Sequence, residues 1–348
     1  MKRNLLFLIC GLLCAALGLN AQITITPYDA GVSYSGDLYT ITGSGPYTIS
    51  SVTGNTDRIL VNGSGTVDII FNNLEITSAT NCAFAISSVS IVNLTLEGTN
   101  YLKSGNSYAG LHVPAGATLQ IGDLSSIDDF TGKLEVHGGS STAFSADGGA
   151  GIGGHGSNVG TANSGTIVIY SGTIEAYGGS GSSNSTGTGG AGGAGIGGGG
   201  GGVSGTSGIN SGGINIEGGK ISATGGNGTK SRGSGAGIGG GGGGNNNNGN
   251  AGIINISTGN ITAIGGTNTT NTTYNAPGIG SGGGDVSPPT VNSYIQITTQ
   301  PMGSTIGAML TIAASLISGI PPVETQITTP TDYKWYKVGN STELGDGL

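Results

Sequence analysis

The sequence Ala-Gly-Ile-Gly-Gly occupies residues 150–154 and returns at 194–198 and 236–240, with the shorter form Pro-Gly-Ile-Gly at 277–280. The central isoleucines of these anchors are 44, 42 and 41 residues apart. A repeat of about 40 residues is typical of a solenoid, in which each unit buries its apolar face only against its neighbours. The anchors therefore predict a chain that winds into stacked coils.

A second block lies between the anchors and supplies further strands. It reads GTIVIYSGTIEAYGG from residue 165, GGINIEGGKISATGG from 212 and GIINISTGNITAIGG from 252. Isoleucine alternates with other residues within the block, while glycine and serine fill the bends. With its anchor, each coil has three predicted strand pieces. The predicted fold is therefore all-β, a parallel β-helix.

This alternation decides which side chains point into the coil, because successive residues of a strand face opposite sides. Aligning the Gly-Gly pairs that close each block predicts that equivalent residues of successive coils stack. Each well-buried isoleucine would contribute roughly 1.5–3 kcal/mol. The predicted inward columns are Leu134, Ile174, Ile221 and Ile261; Ile121, Ile169, Ile216 and Ile256; and the anchor residues Ile152, Ile196, Ile238 and Ile279.

Runs of glycine and asparagine follow two of the anchors, at 197–202, 239–244 and 245–248. Ordering a glycine backbone costs more entropy than ordering any other residue. We therefore expect these runs to form mobile loops on one side of the coils. The alternative is that the glycine beside each anchor isoleucine is required by a positive φ or by the close approach of neighbouring coils.

The chain before the repeats divides into two predicted segments. Residues 1–21 are typical of a secretory signal peptide, with Lys2 and Arg3 before an apolar stretch too short for a comfortable membrane span. Residues 22–57 are predicted to form N-terminal cap strands, and the parallel β-helix is predicted over 58–285. We therefore expect a mature chain without a membrane span, secreted or held on the outer cell surface.

The chain changes character after the repeats. Ser-Pro-Pro-Thr at 287–290 predicts a linker over residues 286–294. Beyond it, Tyr-Lys-Trp-Tyr-Lys at 333–337 resembles the strand of a bacterial Ig-like domain that carries the core tryptophan, here Trp335. Residues 295–348 are fewer than the roughly 100 of a complete Ig-like β-sandwich. We therefore expect a partial, truncated Ig-like segment, from a fragment or a truncated gene product.

Composition restricts the classes of partner. The formal net charge is −8, and only 8% of the 348 residues are charged. Such a chain lacks the basic surface that nucleic-acid binding needs, and it is not attracted to anionic membranes. One cysteine, Cys82, remains after the predicted leader, so no internal disulfide is expected, and Cys82 is predicted to be a small buried hydrophobe.

Motifs that would carry catalysis or bind a cofactor do not emerge from the sequence. Gly219-Lys220 is followed by isoleucine, so it is not a Walker A loop. His112, His137 and His155 do not have the spacing of zinc ligands. Each histidine is therefore expected to be a surface or ladder residue.

The densest acidic group is Asp123, Asp128 and Asp129, with Lys133 shortly after it. A calcium-dependent polysaccharide lyase needs clustered carboxylates for Ca²⁺ and a lysine or arginine as base. Two interpretations stay open, a calcium loop and a solvated bend, and the bend is favoured. We therefore expect no catalytic residue and no cofactor, with Ca²⁺ and lyase activity left open.

The outward residues that alternate with the inward isoleucines form the candidate binding site. Two tyrosines on consecutive strands of one coil are predicted to lie beside carboxylates. Aromatic faces flanked by hydrogen-bonding groups suit sugar rings, whereas ordinary exposed ladder residues are the alternative, because tyrosine is favoured in strands. The candidate ligand-binding residues are Tyr170, Tyr177, Glu135, Glu175, Glu217 and His137.

Residues 92–113, Leu-Gln-Ile at 119–121 and the alternating anchor and strand blocks resemble secreted bacterial β-helix proteins that carry a carbohydrate-binding domain. The resemblance covers about residues 58–285. It implies a right-handed parallel β-helix, polysaccharide binding and, in some members, calcium sites. The calcium carboxylates have no matching positions in this chain.

Three functions follow as hypotheses. The first is a secreted or cell-surface non-catalytic protein that binds polysaccharide or a cell-surface glycan, or acts in adhesion. The second is a purely structural adhesin or stalk, and the third is a polysaccharide lyase.

Overall fold

The structure is a computed structural model, and most of the repeat region is described with its side chains. The backbone of five further strands is described between residues 294 and 346. The predicted signal peptide and almost all of the predicted linker lie outside the described residues. The stretches described with side chains are 23–123, 131–142, 146–182, 189–201, 208, 212–244, 249–268 and 270–284.

Short strands rich in β-branched residues build the described coils, separated by bends of glycine, serine and asparagine. One turn of 3₁₀ helix, Thr272–Tyr274, precedes the last of these strands. In chain order the strands are β1 (Thr24–Thr26), β2 (Val32–Ser35), β3 (Leu38–Ile41), β4 (Tyr47–Ser50), β5 (Arg58–Val61), β6 (Gly65–Asn72), β7 (Glu75–Thr77), β8 (Phe84–Ile86), β9 (Ser90–Glu97), β10 (Thr99–Lys103), β11 (Leu111–His112), β12 (Thr118–Asp123), β13 (Lys133–His137), β14 (Ile152–Gly153), β15 (Thr166–Ile169), β16 (Thr173–Tyr177), β17 (Ile196–Gly197), β18 (Ile214–Ile216), β19 (Lys220–Thr224), β20 (Ile238–Gly239), β21 (Ile254–Ile256), β22 (Asn260–Ile264) and β23 (Ile279–Gly280).

Three sheets run along the solenoid, and neighbouring strands of each sheet come from successive coils. Sheet 1 has the order β1-β4-β6-β9-β12-β15-β18-β21, and sheet 2 has the order β7-β10-β13-β16-β19-β22. Sheet 3 has the order β2-β3-β5-β8-β11-β14-β17-β20-β23. From β3 and β4 onward the neighbouring strands are parallel. The prediction of an all-β solenoid with parallel strands is confirmed.

The first strands differ from the rest in direction. β1 pairs with β4 and β2 pairs with β3, both antiparallel. Parallel stacking already begins where β3 meets β5 and β4 meets β6. Strands β1 and β2 therefore cover the first edges of sheets 1 and 3, edges that would otherwise be open to pairing with another chain.

The strand register confirms the predicted inward columns. Leu134 pairs with Ile174, and that column continues through sheet 2 to the last coil. Ile152 pairs with Ile196, and the other anchor isoleucines follow in sheet 3. The members are buried except Ile256, which lies on β21, the terminal strand of sheet 1, and is 40% exposed.

The prediction that the glycine runs form mobile loops is wrong for the described residues. Residues 197–201 and 239–244 are buried throughout. Their amides are bonded to neighbouring coils, as in Gly200 N to Gly148 O at 2.8 Å and Gly242 N to Gly192 O at 2.7 Å. The hydrogen bonds and close packing offset the entropy cost on which the prediction was based. Gly202 and Asn245–Asn248 lie outside the described residues.

The glycine after each anchor isoleucine has the positive φ that the alternative interpretation required. The values are 137° at Gly153, 130° at Gly197, 133° at Gly239 and 135° at Gly280. L-residues with side chains rarely adopt this conformation. The recurring Ile-Gly pair therefore combines an inward side chain with a backbone turn that needs glycine.

A buried glycine layer lies in three connections from sheet 2 to sheet 3, between β13 and β14, between β16 and β17, and between β19 and β20. Its amides form a relay across coils at 2.8–2.9 Å: Gly179 N donates to Gly149 O, Gly193 N to Gly179 O, Gly226 N to Gly193 O, and Gly235 N to Gly226 O. At most of these positions an added Cβ would overlap a backbone carbonyl of the neighbouring coil. Only glycine permits such an approach between backbones, as at the crowded axis of collagen.

One buried carboxylate ties segments of this layer together. Asp147 is 2% exposed, and its side chain accepts hydrogen bonds from Ala191 N at 2.9 Å and from the Ser157 hydroxyl at 2.7 Å. Burial raises the pKa of Asp147, while these two bonds and the positive charge of the fully buried Arg232 act against that rise. The group therefore satisfies backbone and side-chain donors from two coils at once.

Five strands are described in the C-terminal part, and their pairing is antiparallel. β24 (Tyr294–Ile297), β25 (Ala314–Ser318) and β26 (Val323–Gln326) form one sheet, and β27 (Lys334–Tyr336) pairs with β28 (Glu343–Asp346). No helix among the described residues is long and apolar enough to cross a bilayer.

Candidate ligand-binding surface

The outer face of sheet 2 carries four of the six predicted site residues. Leu134 and Val136 point inward from β13, so Glu135 and His137 point outward. Register places Glu135 beside Glu175 and His137 beside Tyr177 on the neighbouring strand β16. The structure therefore brings these four residues together, as the alternation predicts.

A lysine joins the two carboxylates of this group. Lys133 Nζ lies 3.0 Å from Glu175 Oε2 and 3.4 Å from Glu135 Oε2. The hydrogen bond to Glu175 raises the pKa of Lys133. A hydrogen bond from His137, followed by the contact with Lys133, lowers the pKa of Glu135. The raised pKa of Lys133 and the lowered pKa of Glu135 favour the charged forms of both groups, and Lys133 bridges the Glu135 and Glu175 side chains.

The histidine is oriented by the same network. His137 Nε2 lies 2.8 Å from Glu135 Oε1. An ionised carboxylate can only accept a hydrogen bond, so His137 Nε2 carries the proton and donates it. This bond fixes the imidazole against the sheet and sets the plane on which its neighbours stack.

Three aromatic rings form a stack across successive coils. The rings of His137 and Tyr177 are 4.6 Å apart with an interplanar angle of 13°. Tyr101 joins from the preceding coil at 5.3 Å from His137 and 45°. We call Tyr101, His137 and Tyr177 the aromatic stack. It forms an apolar strip beside the charged network of Lys133 and Glu135.

Tyr101 was missed by the sequence reasoning, although the signal was available. In Asn-Tyr-Leu at 100–102, Leu102 is buried, and alternation therefore places Tyr101 outward. Register puts Tyr101 beside Glu135. The Tyr101 side chain is directed so that its ring contacts His137 and not Glu135. The sequence does not give this direction.

The other two predicted residues lie elsewhere. Tyr170 directly follows β15 of sheet 1 and is 47% exposed, whereas Tyr177 ends β16 of sheet 2. Tyr170 Oη donates to Gln120 Oε1 at 3.3 Å. Glu217 follows β18, also in sheet 1, and is exposed. The expected single site that contains both tyrosines is therefore divided between two sheets.

Two histidines that were predicted to be surface or ladder residues stack on each other: His112 is half-buried at the end of strand β11, and His155 is buried. The rings of His112 and His155 stack at 3.6 Å and 12°, and Tyr108 packs edge-on against His155. His155 Nδ1 accepts a hydrogen bond from Ala109 N at 2.9 Å. Burial lowers the pKa of His112 to about 4 and that of His155 to about 2. The prediction holds for His112, which lies in the ladder of β11, and is wrong for His155. Leu111 stacks on Ile152, and this register brings residues 112 and 155 together.

The acidic group proposed as a calcium loop is only partly described. Asp123 ends β12, and Asp128 and Asp129 lie outside the described residues. Across the part of the chain that the structure describes, no three histidine, cysteine or carboxylate side chains come together as metal ligands. Cys82 is buried as predicted, and burial raises the pKa of its thiol to about 12.

The fold and this surface define a class of protein: an all-β, β-helix-like solenoid of parallel strands with an aromatic and charged outer strip. No protein-family model, curated protein or solved structure matches the chain. The resemblance to secreted bacterial carbohydrate-binding β-helix proteins therefore stays a prediction.

Proposed function

We propose that this chain is a secreted or cell-surface, non-catalytic solenoid that binds polysaccharide on the outer face of sheet 2. The observation that carries the proposal is the aromatic stack, held beside Glu135, Glu175 and Lys133. Rigid rings offer apolar contact area at low entropy cost, and the flanking charged groups offer hydrogen bonds to hydroxyls. A flat, regular strand surface also suits an extended ligand.

The charge states of the network favour binding over proton transfer. A lyase base must accept a proton at working pH. The raised pKa of Lys133 keeps its ammonium protonated, and the lowered pKa of Glu135 keeps its carboxylate ionised. These two groups therefore hold a fixed charge pattern, which is what a binding surface needs.

The proposal includes two finer features of the fold. The coils are proposed to be right-handed, as parallel crossover connections nearly always are. The antiparallel strands after residue 294 are proposed to belong to a partial Ig-like segment that would be displayed with the solenoid.

We expect Tyr177→Ala to weaken polysaccharide binding about tenfold, because it removes the outermost ring of the stack. Binding is measured by retention on immobilised polysaccharides and by affinity electrophoresis across a glycan panel. Tyr170→Ala is the matched control, since Tyr170 is a solvent-exposed tyrosine of the same coil on a different sheet.

The two tyrosine variants give separate answers. If Tyr177→Ala loses polysaccharide binding and Tyr170→Ala keeps it in full, the result would support a binding site on the outer face of sheet 2. Loss with Tyr170→Ala alone would move the site to sheet 1. If the unaltered chain is retained by no polysaccharide, binding is refuted and the purely structural stalk becomes the better account.

A further inference from the structure

The aromatic stack ends at Tyr177, and this end differs from its interior. The ring of His137 covers one face of Tyr177 at 4.6 Å. The opposite face is directed along sheet 2 to the next coil, where register places Thr224. Threonine carries no ring to cover that face. One coil further, register places Ile264, which is 54% exposed.

These three residues enclose a gap that is one strand wide. Neighbouring strands lie about 4.8 Å apart, so Tyr177 and Ile264 stand at about that distance on either side of Thr224. The spacing is close to the 4.6 Å between the rings of His137 and Tyr177. A ring placed above Thr224 would therefore lie at stacking distance from Tyr177. We call this gap the Thr224 notch.

Polar groups border the notch on one side. The adjacent outward column consists of Glu175, Ser222 and Thr262, in register on β16, β19 and β22. The carboxylate accepts hydrogen bonds, and each hydroxyl both donates and accepts. Apolar walls with hydrogen-bonding groups at the rim match a pyranose, which has C–H groups on its faces and hydroxyls around its edge.

We propose that the Thr224 notch binds a single pyranose ring. One face of the sugar packs on Tyr177, the other lies against Ile264, and its hydroxyls bond to Glu175 and Ser222. The inference rests on the proposed polysaccharide binding and restricts it. Because His137 and Tyr177 already cover each other, the interior of the stack has no face for a ligand, and recognition centres on one sugar unit.

The decisive variant is Thr224→Tyr, which would extend the aromatic stack by one ring and fill the notch. The position is outward on β19, where tyrosine is favoured, so the fold should tolerate it. We expect retention on the polysaccharide that the unaltered chain binds to fall at least tenfold. Thr118→Tyr, at an outward position of sheet 1, is the matched control and should keep full retention.

A second variant tests the notch independently, in case Thr224→Tyr does not fold. Ile264→Ser removes the exposed wall at the end of β22 and leaves the buried core intact, and it should weaken retention severalfold. Circular dichroism of each variant establishes that the sheets are retained. Folded Thr224→Tyr with unchanged retention would overturn the notch, as would unchanged retention with Ile264→Ser.

The two proposals fail in different ways. If Tyr177→Ala loses binding while Thr224→Tyr keeps it, the sugar contacts the stack outside the notch and only this inference falls. If the unaltered chain binds no polysaccharide on the panel, both proposals fall together.

Discussion

Replacing Gly226 with alanine is expected to lower the free energy of unfolding by about 3 kcal/mol. Gly226 lies in the buried glycine layer, where its N–H donates to Gly193 O and its carbonyl accepts from Gly235 N. A Cβ at this position would overlap the carbonyl oxygen of Gly179 in the preceding coil. That carbonyl cannot retreat easily, because coils are packed on both sides of it. Urea unfolding followed by circular dichroism measures the change.

The control is Gly122→Ala in β12, which makes the same chemical change in open space. A Cβ there would meet only Ser171 Oγ at 3.6 Å, an ordinary contact. The substitution also reduces the entropy of the unfolded chain, so stability should stay constant or rise by up to about 1 kcal/mol. Equal stability of both alanine variants would show that the layer tolerates side chains and that close backbone packing does not explain the glycine content.

Sequence periodicity was sufficient to predict the interior of this fold. The alternation of isoleucine, together with the closing Gly-Gly pairs, predicts that Ile174 lies against Ile221 and Ile152 against Ile196, as the structure shows. This succeeds because a strand has a strict two-residue period, and a slip of one residue would turn every isoleucine outward. The same rule correctly placed Glu135 and His137 on the outer face.

Glycine carries no such directional signal. Entropy alone favoured loops for residues 197–202 and 239–244, and that argument omits the contacts available only to a backbone without side chains. The relay from Gly149 through Gly179 to Gly193 depends on three segments of two coils meeting at once. No local pattern encodes that meeting, so the glycine layer could not have been predicted from periodicity.

The division of the candidate site has a different cause. Tyr170 and Tyr177 are only seven residues apart, but a bend between β15 and β16 assigns them to different sheets. The sequence predicted that both side chains point outward. Because the chain bends between β15 and β16, the two outward side chains lie on different surfaces. Tyr101, from another coil, takes the place that Tyr170 was expected to hold.

The second large effect is expected from acid. Burial lowers the pKa of His112 to about 4 and that of His155 to about 2, whereas an unfolded histidine titrates near 6.5. As pH falls below about 6.5, the unfolded chain binds protons that the folded chain cannot yet accept. The contribution of the two neutral histidines to the free energy of unfolding is therefore fully present above that pH. It is lost as the solution is acidified. At pH 5 each histidine should lower the free energy of unfolding by about 2 kcal/mol, and the pair should lower it by about 4 kcal/mol.

The acid effect is isolated by variants that keep the packing around the two histidines but carry no group that titrates in this pH range. His112→Phe preserves a ring against His155, and His155→Asn retains an acceptor for Ala109 N. The free energy of unfolding is measured from pH 7 to pH 5, where the raised pKa of Asp147 acts in the opposite sense in every variant. Each single variant should lose about half of the pH dependence, and the double variant nearly all of it. If the double variant shows the same slope as the unaltered chain, other groups govern the acid response and the stacked pair is only a packing element.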